Sequence, residues 1–170
     1  MKFIKIFSII IIIIIFNLNL AYSNDKVSFI NLDLLIKKTN IGKLILKDIE
    51  QLKEKNLENL KNKENELKSL EDEIKNKKNI ISKEEFEKEI DQLRQNIKKF
   101  KNYKNKLVTE IENKKNNDFN EFFTKVNPII QNYMENNSID ILLERKNVFM
   151  SKNSSDITER LIIEINNKFK

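Results

Sequence analysis

With 170 residues, a net charge of +6, 34% charged residues and only one glycine and one proline, the chain has the balance of long helices rather than of a sheet-rich globule. It contains neither histidine nor cysteine, which excludes the commonest zinc and copper ligand sets and the usual nucleophile–base pairings of covalent catalysis. No glycine-rich phosphate loop can be built with Gly42 as the only glycine, so neither an enzyme nor a bound cofactor or metal is expected.

Residues 1–23 have the three parts of a secretory signal: Lys2 and Lys5, an apolar run from Ile6 to Phe16, and a polar stretch ending in Ala21-Tyr22-Ser23. Small residues at Ala21 and Ser23 predict cleavage after Ser23. The alternative is an uncleaved membrane anchor, for which the run is short of the roughly 20 residues a span needs. Cleavage removes Lys2 and Lys5 and leaves 30 basic against 26 acidic residues, a charge of +4, on an exported protein.

Lys26-Val27-Ser28-Phe29-Ile30-Asn31 alternates and reads as a strand. Asp33 is expected to cap a short helix, Leu34 to Thr39, with Asn40 and Gly42 as its stop.

From Leu44 to Tyr133 charged residues and Asn alternate with a thin apolar stripe, predicting two antiparallel helices that reverse at Asn79–Ser82. The first carries Leu46, Ile49, Leu60, Leu67, Leu70, Ile74 and Ile81 on a seven-residue frame, with Lys53, Asn56, Lys63 and Lys77 at the other seam positions. Ser82 and Glu85 form a capping-box pattern that starts the second helix. There Phe86, Ile90, Leu93, Ile97, Phe100, Lys104, Leu107 and Ile111 step by four and three. Two steps of four, through Lys115 to Phe119, make a stutter. An aromatic-rich stripe follows, from Phe119 through Phe122, Phe123, Val126, Ile129 and Ile130 to Tyr133. Each such arm would reach roughly 54 Å at 1.5 Å per residue.

Asn136-Asn137-Ser138 interrupts the helical pattern. Ile139 to Glu144 reads as a strand, Arg145-Lys146-Asn147 as a hairpin turn, and Val148-Phe149-Met150 as a further strand. Asp156 is expected to cap a last helix, with Glu159 at its third position and Ile157, Leu161, Ile162 and Ile165 buried. The expected fold is therefore mainly α with a small β part: a coiled-coil hairpin, 44–133, on a β-containing base built from 24–43 and 134–170. Three short strands make a marginal core with exposed edges, so the base is expected to be completed by other copies of the chain.

Charge is unevenly spread. Lys75, Lys77, Lys78 and Lys83 surround the turn, and Arg94, Lys98, Lys99, Lys101, Lys104 and Lys106 run without an intervening acid. Such a surface suits an acidic partner: anionic lipid, lipopolysaccharide or an acidic client chain. Nucleic acid is not expected, because the protein is exported and no groove-reading motif is present. Glu71-Asp72-Glu73 and Glu84-Glu85 read as solvated helix faces near a turn rather than as acid–base pairs or calcium ligands.

The order of parts resembles the Skp/OmpH family of periplasmic chaperones. The resemblance is carried by Lys26-Val27-Ser28-Phe29-Ile30-Asn31, by Ile139-Asp140-Ile141-Leu142-Leu143 followed by Val148-Phe149-Met150, and by Ser155-Asp156-Ile157-Thr158. It implies a jellyfish-like homotrimer in the periplasm, whose strands form the base and whose three arms enclose a cavity. There unfolded outer-membrane proteins would be held without ATP. Met150, where the family usually has an aromatic, and the Asn-rich arm are departures. On this reading Phe86, Ile90, Leu93, Ile97 and Phe100 lie on the seam of the arm. Some of them, with Arg94, Lys98, Lys99, Lys101 and Lys104, are expected to line the client cavity. The competing reading is a structural or tethering coiled coil of the envelope, held to the membrane by an uncleaved N-terminus.

Overall fold

The computed structural model describes residues 25–170; the signal segment and the cleavage point after Ser23 lie outside the described residues. The elements in chain order are strand β1 (Val27–Ile30), helix α1 (Leu32–Lys38), helix α2 (Asn40–Lys77), helix α3 (Lys83–Asn136), strand β2 (Ile141–Glu144) and helix α4 (Thr158–Lys168). Short 3-10 turns at Arg145–Asn147 and Asn153–Ser155 separate the last two.

The strands pair in parallel, Val27 opposite Ile141 and Ile30 opposite Glu144. On the other edge of β1 the Ile157 amide donates to the Phe29 carbonyl at 3.1 Å. The principal core sits where α1, α4 and the C-terminal part of α3 meet. Leu35, Phe122, Val126, Leu161 and Ile165 are fully buried there, with Ile30, Ile139 and Ile157 packed beside them. All four apolar residues expected to be buried on the last helix are buried.

Helix α1 starts two residues earlier than the sequence suggests. Its cap is Asn31, whose Oδ1 accepts from the Leu34 amide at 3.0 Å, while Asp33 lies in the first turn near the positive end of the helix dipole. Asn40 and Gly42 do not stop it. Thr39, itself buried, ends α1 and caps α2, its Oγ1 accepting from the Gly42 amide at 3.3 Å. Gly42 serves close approach: a Cβ at this position would stand 1.9 Å from the Ile36 carbonyl oxygen, so only glycine lets α2 leave α1 so sharply.

Helix α3 ends in a Schellman motif. The Ile139 amide reaches the Met134 carbonyl at 2.9 Å and the Ser138 amide reaches Glu135 at 3.2 Å. Ser138 takes the left-handed conformation, φ 51°, that glycine usually supplies. The break expected at Asn136–Ser138 is thus an ordered cap.

The Asp156-Ile157-Thr158 motif ties α4 to β1. Asp156 Oδ1 accepts from both the amide and the hydroxyl of Thr158, at 2.9 and 2.6 Å. Thr158 Oγ1 in turn accepts from the Asn31 amide at 2.9 Å. Asp156 thus acts on the start of α4, but Glu159 does not close a capping box. It points away to an ion pair with Lys38 at 2.7 Å.

The strand expected over Val148–Met150 does not form in the single chain: Phe149 is 99% exposed and Met150 82%. Strand hydrogen bonds need a neighbouring edge, and the segment leaves its 3-10 turn without one among the described residues.

Candidate interaction surface

Helices α2 and α3 run in opposite directions, as their cross-contacts show. Lys77 Nζ meets Glu89 Oε1 at 2.9 Å, and Lys63 Nζ stands 5.3 Å from the centre of the Tyr103 ring. The reversal is made by capping chemistry. Ser82 Oγ accepts from the Glu85 amide at 3.3 Å, and the Glu85 carboxylate accepts from the Ser82 amide at 3.1 Å. The Ser82 hydroxyl, donating to the Glu85 carboxylate at 2.9 Å, and then the Ser82 amide hold the Glu85 carboxyl below its ordinary range. Helix α2 continues to Lys77, so the turn occupies 78–82.

The seam between the helices is thin. Ile49, Ile74, Leu93 and Leu107 are buried, whereas Phe86, Ile90, Phe100, Leu67 and Leu70 are only half-buried. Asn56 is buried at a seam position, and its Nδ2 finds no hydrogen-bond partner. A donor left unmade in this way costs about 1–3 kcal/mol.

Past Leu93 the seam departs from the expected frame. Asn96 and Tyr103 turn toward α2, while Ile97 is half exposed and Lys104 is exposed. The apolar residues suggest a strict four–three step, but Tyr103 offers a large ring under Lys63, and contact follows the ring. An opening of about 510 Å³ lies here, lined by Leu67, Leu70 and Phe100 with Lys63, Lys99 and Tyr103 at its rim. At the stutter it is Lys114 rather than Lys115 that is drawn in, paired with Asp118 at 2.8 Å. This bond raises the Lys114 ammonium above its ordinary value.

The two basic clusters part company in the structure. Around the turn Lys75 pairs with Glu71 at 2.8 Å, Lys77 with Glu89, and Lys83 reaches Glu87 at 3.9 Å. Of the four, Lys78 makes no ion pair among the described residues. Between Glu71 and Glu89 seven carboxylates face five lysines, so the turn is not a basic tip. Farther along, Arg94 pairs with Asp91 at 2.9 Å. Among the described residues Lys98, Lys99, Lys101, Lys104 and Lys106 make no ion pair, and all are exposed. The net positive field therefore sits on the middle of α3.

Two regions with exposed apolar groups thus stand apart, a basic belt at mid-helix and the β2 edge with Phe149 and Met150. The model of the outer membrane protein (OmpH-like) family matches residues 26–165. The chain belongs to the OmpH-like family. Its fold is similar to the crystal structure of an OmpH-like candidate outer membrane chaperone from Caulobacter crescentus CB15, with a TM-score of 0.77 over 86% of each chain at 15% identity. A comparison with curated proteins returned no match. Family membership supports a chaperone role, and chaperones that bind many sequences rely on spread, adaptable contacts.

Proposed function

We propose that this OmpH-like protein is an ATP-independent holdase of the periplasm that keeps unfolded outer-membrane proteins from aggregating, in a cavity enclosed by the helical arms of a homotrimer. The observation that carries the reading is the pairing of the unneutralised lysine belt on α3 with half-exposed apolar groups beside it. Long-range attraction brings an acidic unfolded chain in, and weak apolar contacts retain it. Membership of the OmpH-like family supports the same reading.

The trimer rests on the other region. On one face of the sheet Val27, Ile141 and Leu143 are exposed, with Phe149 and Met150 beyond them. An open strand edge with apolar residues invites pairing, and three copies would bury what one leaves bare. Anionic lipid and lipopolysaccharide are weaker partners than the lysine count at the turn suggests, because Lys75, Lys77 and Lys83 are already paired.

The test joins sedimentation with aggregation. The purified protein should sediment as a trimer and suppress light scattering by a denatured outer-membrane barrel protein on dilution, without nucleotide. A membrane-retained dimer that fails to suppress scattering would instead support the tethering reading.

A further inference from the structure

Helix α3 carries a second stripe beside its seam. Ile97, Lys101, Lys104 and Val108 are separated by four, three and four residues, which at 3.6 residues per turn places them on one face. Ile97 and Val108 are each 50% exposed, although both are β-branched residues that packing usually hides. Lys101 and Lys104 between them are exposed and unpaired. No acid lies on α3 from Gln92 to Thr109, so nothing on that helix competes for these ammonium groups.

We propose that this stripe is a docking surface for an extended acidic–apolar peptide segment, in which a carboxylate is flanked on the same side by apolar residues. The proposal rests on the holdase reading and names the feature of the client that is held. Charge complementarity selects the occupant: unpaired lysines between two exposed β-branched residues match a carboxylate between two apolar side chains. Spacing agrees. Eleven helical residues rise roughly 16 Å, and residues i to i+4 of an extended chain span roughly 13 Å, a difference that side chains can bridge. An extended segment places residues i, i+2 and i+4 on one side, so apolar, acidic, apolar at alternate positions meets the stripe in order. The surrounding Lys98 and Lys106 widen the field without fixing register, which suits weak binding of many sequences.

The test uses the purified full protein and three labelled peptides of extended-forming sequence: apolar–Asp–apolar on alternate positions, its Asn analogue, and its Lys analogue. Anisotropy should show the Asp peptide binding roughly fivefold or more tightly than the Asn peptide at low salt, a gap that narrows as salt rises. Lys101→Gln with Lys104→Gln should remove the difference. Ile97→Ser with Val108→Ser should weaken Asp and Asn peptides alike, and Lys152→Gln should change nothing. All four substituted positions of the stripe are at the surface, so helicity by circular dichroism should be unchanged. Equal binding of Asp and Asn peptides, or an undiminished difference in the double Gln variant, overturns the stripe. If wild type still suppresses aggregation of a barrel protein in that case, only the stripe has failed; if it does not, the holdase reading has failed.

Discussion

The base and the arm are built from the same residue types to opposite ends. The base takes in the C-terminal part of α3, beyond the expected boundary at 134: Phe122 and Val126 with Leu35, Leu161 and Ile165 leave no exposed surface, and buried Thr39 and Thr158 have hydrogen-bond partners. Along the arm buried apolar residues are several turns apart, an unpartnered Asn56 sits among them, and lysines rim an opening at Phe100. Stability is concentrated where the fold is defined. The arm is held together by a thin seam.

The severest way to break this contrast is in the base. Phe122→Ala should cost about 3–5 kcal/mol and unfold the whole chain cooperatively, read by denaturant titration. Leu107→Ala in the arm should cost less in global stability and act mainly on local amide exchange. A seam improvement should sharpen the comparison: Asn56→Leu removes the orphan donor and should stabilise the arm by about 1–2 kcal/mol, seen as slower exchange near residue 56. If that variant exchanges faster, Asn56 is contributing a bond the seam needs. Ser138→Gly relieves the left-handed backbone and should raise stability by about 1 kcal/mol, because Gly adopts that conformation freely. At the turn, Ser82→Ala should cost about 1 kcal/mol, confined to exchange around 78–86.

The smallest effect is with pH. The Glu85 carboxyl titrates below its unfolded value because Ser82 donates to it, so its contribution is present above the unfolded pKa and is lost as pH falls through the lower folded one. Acid below the ordinary glutamate range should loosen the turn, seen as faster amide exchange around 78–86. Lys114 has the opposite sign. Its folded pKa is raised by Asp118, so that support is complete below the unfolded lysine value and fades only as strongly alkaline pH passes the folded one.

Much of the fold was legible because local chemistry decides it. The capping box at Ser82 and Glu85, the buried face Ile157, Leu161, Ile162 and Ile165, and strand β1 follow from spacing and residue type. What could not be read depends on distant partners. Gly42 looks like a helix stop until the Ile36 carbonyl is beside it, and Val148–Met150 looks like a strand although strands need an edge. At the candidate surface the lysine run was legible as a run. That its members differ in pairing was not, because acids one helical turn away, or across the helix pair as Glu89 is from Lys77, neutralise the turn and spare the belt. The shift of the seam from Ile97 and Lys104 to Asn96 and Tyr103 was hidden for the same reason: it is settled by Lys63 on the other helix.

The parallel register of Val27 with Ile141 joins two points separated by 113 intervening residues. A chain made N-terminus first presents β1 early, but β1 must wait for its partner until nearly all of the remainder has been made. The capped turn and the helix pair need only near neighbours in sequence and can zip from residues 78–82 outward, and this zipping carries the two strands toward each other. Loop closure is then far less costly than for a free chain of that length. The order of the chain therefore makes the strand pair the final latch on the fold, closing only after the helices have brought its halves together.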